Sequence, residues 1–541
     1  MTLPWWKART IYQIYPRSFL DTTGNGIGDI NGITYGLEQI KELGAGIVWI
    51  SPLFVSPMVD NGYDMADYKA IDPLFGTLAD FDAMLVRAKE LDLKIILDIA
   101  LNHTSTAHPW FQSALSDPTS PYRDYYHWRD TPNNWQSIFG GSAWTQPEGD
   151  SQFYLHLFDK TQADLNWANA AVRHAIYDAL RFWLDRGVDG FRLDVVTIIS
   201  KPHGLPDAPD PRPVPLYSML ADGPDLHKWL REMRHEVFEH YDCLAIGEGP
   251  GLTPARSAAL VDPNDPMLNM IYHFDLVHEF DASQDGDWDR VWFKSVFARW
   301  DAGIGPRGWN TIVMGNHDLR RLVSRFGEIG AYRHNSAKAL AATCLLQRAT
   351  PFIYQGDELA MIDAPFTHIQ QLDDVWAKTT YQLALSEGHD SNTAFKKAAD
   401  MTRDHARTPY NWRENGGFTS GTPWLLQTDT SDECNLADQR LNSDGVRSFY
   451  QALIKLRMSD PETWITGAYQ DLYPFHKELY VFRRGSRGLV IVNLRGVETA
   501  PPVELLELIE QRKNTLKLTC GDMLGSGPST TFSPWAVFVF G

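Results

Sequence analysis

Gly190-Phe191-Arg192-Leu193-Asp194 reads as a short β-strand that ends in an acid. Alternation along a strand puts Arg192 and Asp194 on one face. The segment before it, Val172 to Arg186, has the spacing of an amphipathic helix. The same pairing recurs on both sides. Toward the N-terminus, Thr10–Tyr15, Ile47–Ile50 and Lys94–Ile99 read as strands, with helices over Ile33–Leu43 and Leu78–Leu91. Toward the C-terminus, Cys243–Gly247, Met270–Phe274, Thr311–Met314 and Pro351–Tyr354 read as strands. This alternation predicts an α/β fold, a (β/α)8 TIM barrel with its site at the C-terminal strand ends. A doubly wound sheet shows similar alternation but more often carries a glycine-rich phosphate loop after strand one.

The pattern breaks twice. Between Asn102 and Asn169 the chain is rich in Trp, Tyr, Pro, Asn and Gly, as a loop-rich insertion would be. From about Ile465 helical periodicity fades, and Leu489–Asn493 and Trp535–Phe540 look like strands. The expected division is a barrel over 1–101 and 170–464, an inserted domain over 102–169, and a C-terminal antiparallel β domain over 465–541.

At 541 residues the chain is too long for one ordinary core. Its 43% hydrophobic and 22% charged content is that of a soluble globular protein. With 49 basic and 68 acidic residues the formal charge is -19, and no basic block offers a nucleic-acid surface. Cys243, Cys344, Cys434 and Cys520 are far apart and form no CxxC pair, which suits buried free thiols in a reducing compartment. Neither a signal-peptide core nor a run of transmembrane length is present, so a cytoplasmic location without membrane contact is expected.

Polar groups gather where strands end. Arg192 can hold Asp194 ionised, which covalent attack on an anomeric carbon requires. Glu248 lies between Gly247 and Gly249 after an apolar run, one barrel strand later. A buried glutamate of raised pKa can donate a proton to a leaving oxygen. Adjacent strand ends supply the roughly 5–5.5 Å between carboxyls that retaining glycosidases use. Asn102-His103 and Gly315-Asn316-His317-Asp318 end two further strands. Histidines on two strands could instead ligate a metal, but no His-x-x-x-His pair completes a zinc site. No Gly-x-Ser-x-Gly elbow supports a serine hydrolase. In Asp21-Thr22-Thr23-Gly24-Asn25-Gly26-Ile27-Gly28-Asp29, the oxygens of Asp21, Thr23, Asn25, Ile27 and Asp29 match the first five offsets of a calcium loop. A structural Ca2+ or Mg2+ is expected there. Tyr63, in Asp60-Asn61-Gly62-Tyr63-Asp64, is placed to stack on a sugar ring.

These motifs together resemble glycoside hydrolase family 13, the α-amylase family, and within it the oligo-1,6-glucosidases and related α-glucosidases. The resemblance runs from Tyr12-Gln13-Ile14-Tyr15-Pro16-Arg17-Ser18-Phe19 to the terminal β domain. It implies Asp194 as nucleophile, Glu248 as acid/base and Asp318 as the third acid. Arg192, His103 and His317 would surround the terminal glucose, with Asp60 and Tyr63 as the far wall. Arg403 would pair with Asp60 and close the pocket, favouring exo-action. Phe139, Phe158 and Gln162 would line the entrance, and the loop from Asp21 to Asp29 would be the family's metal loop. Val195, after the nucleophile, is similar to the valine of enzymes that favour α-1,6 bonds. Ala163, Gly249 and Tyr410-Asn411-Trp412 depart from the subgroup's usual residues, and Gly249 is expected to open the aglycone side. The implied activity is a retaining exo-α-glucosidase acting on small neutral oligosaccharides such as isomaltose or panose, in a monomer or weak homo-oligomer. The alternatives are a sucrose isomerase or transglucosylase, an α-1,4-preferring or sucrose-hydrolysing enzyme, and a catalytically silent scaffold.

Overall fold

The computed structural model describes residues 3–278, 288–306, 308–428 and 433–541. Eight parallel strands close a barrel in sequential order. They are β1 Ile11–Ile14, β2 Ile47–Ile50, β3 Lys94–Ala100, β4 Gly190–Asp194, β5 Leu244–Gly249, β6 Met270–His273, β7 Asn310–Ile312 and β8 Ala349–Tyr354. Each lies within three residues of the stretch read as a strand. Their burial is continuous rather than alternating, because both barrel faces are covered.

The helices include α1 Ile30–Leu43, α2 Leu78–Glu90, α3 Ala170–Arg186, α4 Pro213–Leu220, α5 Arg290–Ile304, α6 Arg333–Leu345, α7 Val375–Ser386, α8 Ser391–Met401 and α9 Val446–Ser459. The α1 helix starts earlier than periodicity suggests, because the Asp29 carboxylate caps it by accepting the Gly32 N–H at 2.8 Å. The pair α7 and α8, after β8, is an excursion that strand and helix alternation did not reveal.

The segment after β3 folds back over the strand ends in two small antiparallel sheets. His103–Ser105 pairs with Gln162–Asp164, and Phe153–Leu155 pairs with Trp128–Arg129 and Trp144–Thr145. Five antiparallel strands form the C-terminal sheet: Tyr469–Asp471, Leu479–Arg484, Gly488–Asn493, Val537–Phe540 and Leu516–Cys520. Buried cations hold this sheet to the barrel through carbonyl oxygens. Lys294 of α5 donates to Tyr473, His476 and Leu479 at 2.7–3.0 Å, and Arg484 donates to Leu346 and Ile465.

All four cysteines are free and buried. Burial pushes the thiols of Cys243 and Cys520 up to about 11 and that of Cys344 to about 12. Among the described residues, no helix is long and apolar enough to cross a membrane.

Candidate active site

Strand register builds the centre. In β4 and β5, Leu193 lies opposite Gly247, so Asp194 and Glu248 stand side by side at neighbouring strand ends. Arg192 lies opposite Asp98 of β3. Its guanidinium is wholly buried and donates through Nη1 to Asp194 and through Nη2 to Glu248. Two nitrogens of one planar group therefore hold both carboxyls, a spacing on the order of 5 Å that suits a covalent, retaining reaction. Nη1 also reaches Asp98 at 2.8 Å.

Burial raises the Glu248 pKa well above the ordinary carboxylate range. Arg192 opposes that rise, while the charges of Asp194 and Asp318 add to it. The Val195 N–H donates to Glu248 Oε2 at 2.7 Å. Val195 does so with φ at 37°, a left-handed conformation that β-branched residues avoid. Glu248 is thus a shielded carboxyl inclined to keep its proton, and its orientation is fixed by a strained neighbour.

Asp318 has the opposite electrostatics. Burial would raise its pKa, but His317, Arg403 and Arg407 outweigh that and hold it well below the usual range. Arg407 donates to Asp318 Oδ1 at 3.2 Å, and His317 Nε2 lies 3.2 Å from Oδ2. Burial lowers the His317 pKa to about 3, so this imidazole is neutral at pH 7. The Gln13 amide reaches His317 Nδ1 at 2.7 Å, and the Tyr63 hydroxyl lies 2.6 Å from Nε2. The Tyr63 hydroxyl in turn donates to Asp98 at 2.7 Å. Tyr63 stacks on His317 with ring centroids 5.3 Å apart.

The far end is closed by Arg403. Its Nη2 donates to Asp60 Oδ1 at 2.7 Å and to Asp374 Oδ1 at 2.6 Å. Gln162 donates to the other oxygen of Asp60 at 3.0 Å. The resulting cleft encloses about 660 Å3. Asp60, Tyr63, His103, Phe139, Phe158, Gln162, Asp194, Val195, Glu248, Asp318 and Arg403 all line it. Arg192 and His317 lie behind that lining, fully buried. Gln162 is also fully buried, deeper than an entrance residue.

Sequence reasoning missed Tyr217, Phe274 and Trp376 in the lining, and Asp374 and Arg407 behind it. Asp374 did carry a signal, an acid just before a helical run, where an N-cap belongs. Gly249 needs a correction. A Cβ there would meet Ile271 and Leu252 at 3.0 Å, so the position faces packed core and its small size does not open the cleft. Pro250 reaches the lining instead.

The Asp21–Asp29 loop lies apart from this cleft. Asp21 accepts from the N–H groups of Thr23, Gly24 and Gly26 and from the hydroxyls of Thr23 and Thr419. Asp29 accepts from Thr22 and Gly32, and the Asn25 carbonyl accepts from the Ile27 N–H. A carboxylate has about four lone-pair sites, so these two are fully used by their surroundings. Among the described residues, no three His, Cys, Asp or Glu side chains gather as a metal site.

With this geometry in hand, known proteins can be compared. A family model described as alpha amylase, catalytic domain, matches residues 13–466. The oligo-1,6-glucosidase of Parageobacillus thermoglucosidasius is 41% identical over 507 residues, covering 90% of each chain. The trehalose-6-phosphate hydrolase of Bacillus subtilis is 41% identical, covering 92% of this chain and 91% of its own. Among solved structures, the isomaltulose synthase from Klebsiella sp. LX3 superposes with a TM-score of 0.91 at 37% identity over 100% of both chains.

Proposed function

This chain belongs to the alpha-amylase family, and from that premise we propose that it is a retaining, exo-acting α-glucosidase that favours α-1,6-linked glucosides such as isomaltose. The observation that carries the reading is Arg192 bridging Asp194 and Glu248 in a cleft closed at its far end by the Arg403–Asp60 pair. Asp194 attacks C1 while Glu248 gives its proton to the glycosidic oxygen. The Glu248 carboxylate then takes a proton from water, whose oxygen displaces Asp194 and restores the α-configuration. Ionised Asp318 and neutral His317 bind sugar hydroxyls. The closed far wall leaves room for one terminal glucose, hence exo-action.

Val195 supports the α-1,6 preference, since its branched side chain lines the cleft next to the nucleophile. Incubation with isomaltose, maltose, panose, trehalose and sucrose, with the products and their anomeric form identified by NMR, tests the proposal. Faster glucose release from isomaltose than from maltose, with α-glucose formed first, is the expected result. Release of β-glucose first would sink the mechanism. The likeness to an isomaltulose synthase favours one second reading, sucrose isomerisation. Isomaltulose from sucrose, in place of glucose plus fructose, would establish it.

The same reading places a structural Ca2+ or Mg2+ on the Asp21–Asp29 loop. The cation would take over oxygen lone pairs now used by Thr23, Gly24, Gly26 and Thr419, so binding must rearrange the loop. Equal melting temperatures in calcium and in chelator would rule this out. A cytoplasmic monomer or weak homo-oligomer completes the reading, consistent with four free thiols.

A further inference from the structure

The cleft has two chemically different halves. Its charged side chains, Asp60, Asp194, Glu248, Asp318 and Arg403, are tied to one another or to Arg192, Arg407 and Asp374 around the glucose position. Val195 and Pro250 follow the nucleophile and the acid/base in sequence, so they stand beyond these two carboxyls, where the leaving group and the incoming acceptor must lie. The wall there is apolar. Ile138, Phe139, Val195 and Tyr217 belong to one buried hydrophobic cluster, against which Trp376 packs. Trp376 and Phe139 lie with ring centroids 5.6 Å apart, and the Arg403 guanidinium is 4.9 Å from the Phe139 centroid. Trp376 is fixed from below, since Asp374 accepts its backbone N–H at 3.1 Å.

Among the described residues, this wall offers only the Tyr217 hydroxyl and the Trp376 indole N–H as polar groups. A second sugar brings several hydroxyls that would lose water there without partners. A ring-bearing apolar alcohol loses little and gains contact with aromatic faces.

Resting on the α-glucosidase reading and deepening it, we propose that this wall is an acceptor subsite for apolar, ring-bearing alcohols, and that the glucosyl group on Asp194 passes to them in preference to a second sugar. The acceptor oxygen attacks C1, and the bond from C1 to the Asp194 oxygen breaks and returns its electron pair to the carboxylate. The hydroxyl proton passes to Glu248. The product is an α-glucoside of the alcohol, with no other reactant consumed.

The test supplies one donor, isomaltose or sucrose, together with equal concentrations of benzyl alcohol and methyl β-glucoside. Initial rates of the two transfer products are followed by chromatography. The benzyl α-glucoside is expected to form about 5-fold faster or more. In Trp376→Ala this ratio falls toward one while glucose release continues; Trp376→Phe keeps the preference. A wild-type ratio at or below one overturns the proposal, as does a ratio unchanged in Trp376→Ala. Because the wild-type ratio decides by itself, a misfolded variant does not rescue the idea. Failure of the wild type to release glucose from any α-glucoside would instead strike the underlying activity.

Discussion

Val195 and Glu248 are joined by one hydrogen bond, and each makes its own prediction. The left-handed backbone of Val195 aims an N–H at Glu248, and strain of this kind persists only where its surroundings over-determine it. The side chain has a separate task against the aglycone. Val195→Ala should therefore raise the maltose-to-isomaltose activity ratio roughly tenfold and leave the alkaline limb of the kcat/KM pH profile in place. An unchanged ratio would remove Val195 as the determinant. Folding raises the Glu248 pKa from its ordinary 4.5, so the folded chain binds this proton more tightly than the unfolded one. The stability this contributes is complete below the ordinary value and is lost as the pH rises through the folded value. Glu248→Gln stays neutral and keeps the contribution. Its melting temperature should exceed that of the wild type by a margin that grows with pH, about 2 °C or more by pH 8. A margin independent of pH would contradict the shift. Asp194, Glu248 and Asp318 were legible in the sequence because each ends a strand. Trp376 and Tyr217 were not, since a lone aromatic at the start of a helix has the same pattern whether it faces a core or a cleft.

At the scale of elements, the α7 N-terminus joins the two halves of the site. Asp374 caps the helix and also receives the Nε, Nη2 and backbone N–H of Arg403. Asparagine is a good cap but a poor partner for a guanidinium. Asp374→Asn should thus raise KM for isomaltose roughly tenfold, about 1.4 kcal/mol of binding, with a smaller change in kcat. Equal loss in both constants would argue for general damage. Every barrel strand was legible, because runs buried on both sides carry the β-branched signal throughout. The α7–α8 excursion was not. It inserts helices where a barrel already has its eighth strand, and the period of a helix says nothing about which layer it joins.

Across the whole molecule, charged side chains fasten the C-terminal sheet to the barrel from inside. Arg457 of α9 donates to the carbonyls of Leu345, Gln347, Ala349 and Trp464, and Arg484 does the same from the sheet. Removing such a donor leaves several buried carbonyls unpaired. Arg484→Ala should cost about 3–5 kcal/mol in denaturant unfolding while kcat/KM at 25 °C stays within about twofold. Loss of activity in step with stability would mean that the sheet shapes the cleft. The separate C-terminal sheet was legible from the fading helix period, but its fastening was not, because nothing in an isolated Arg marks the carbonyls it will meet.

Every sulfhydryl in the chain is hidden. The native protein should therefore be silent toward a thiol reagent such as DTNB and release four equivalents only after denaturation. One cysteine added near the rim of the cleft would then be the sole attachment point for a fluorophore. A native-state colour yield above one tenth of the total would close that route. Otherwise sugar entry could be timed by stopped-flow emission, with no need to strip background residues first.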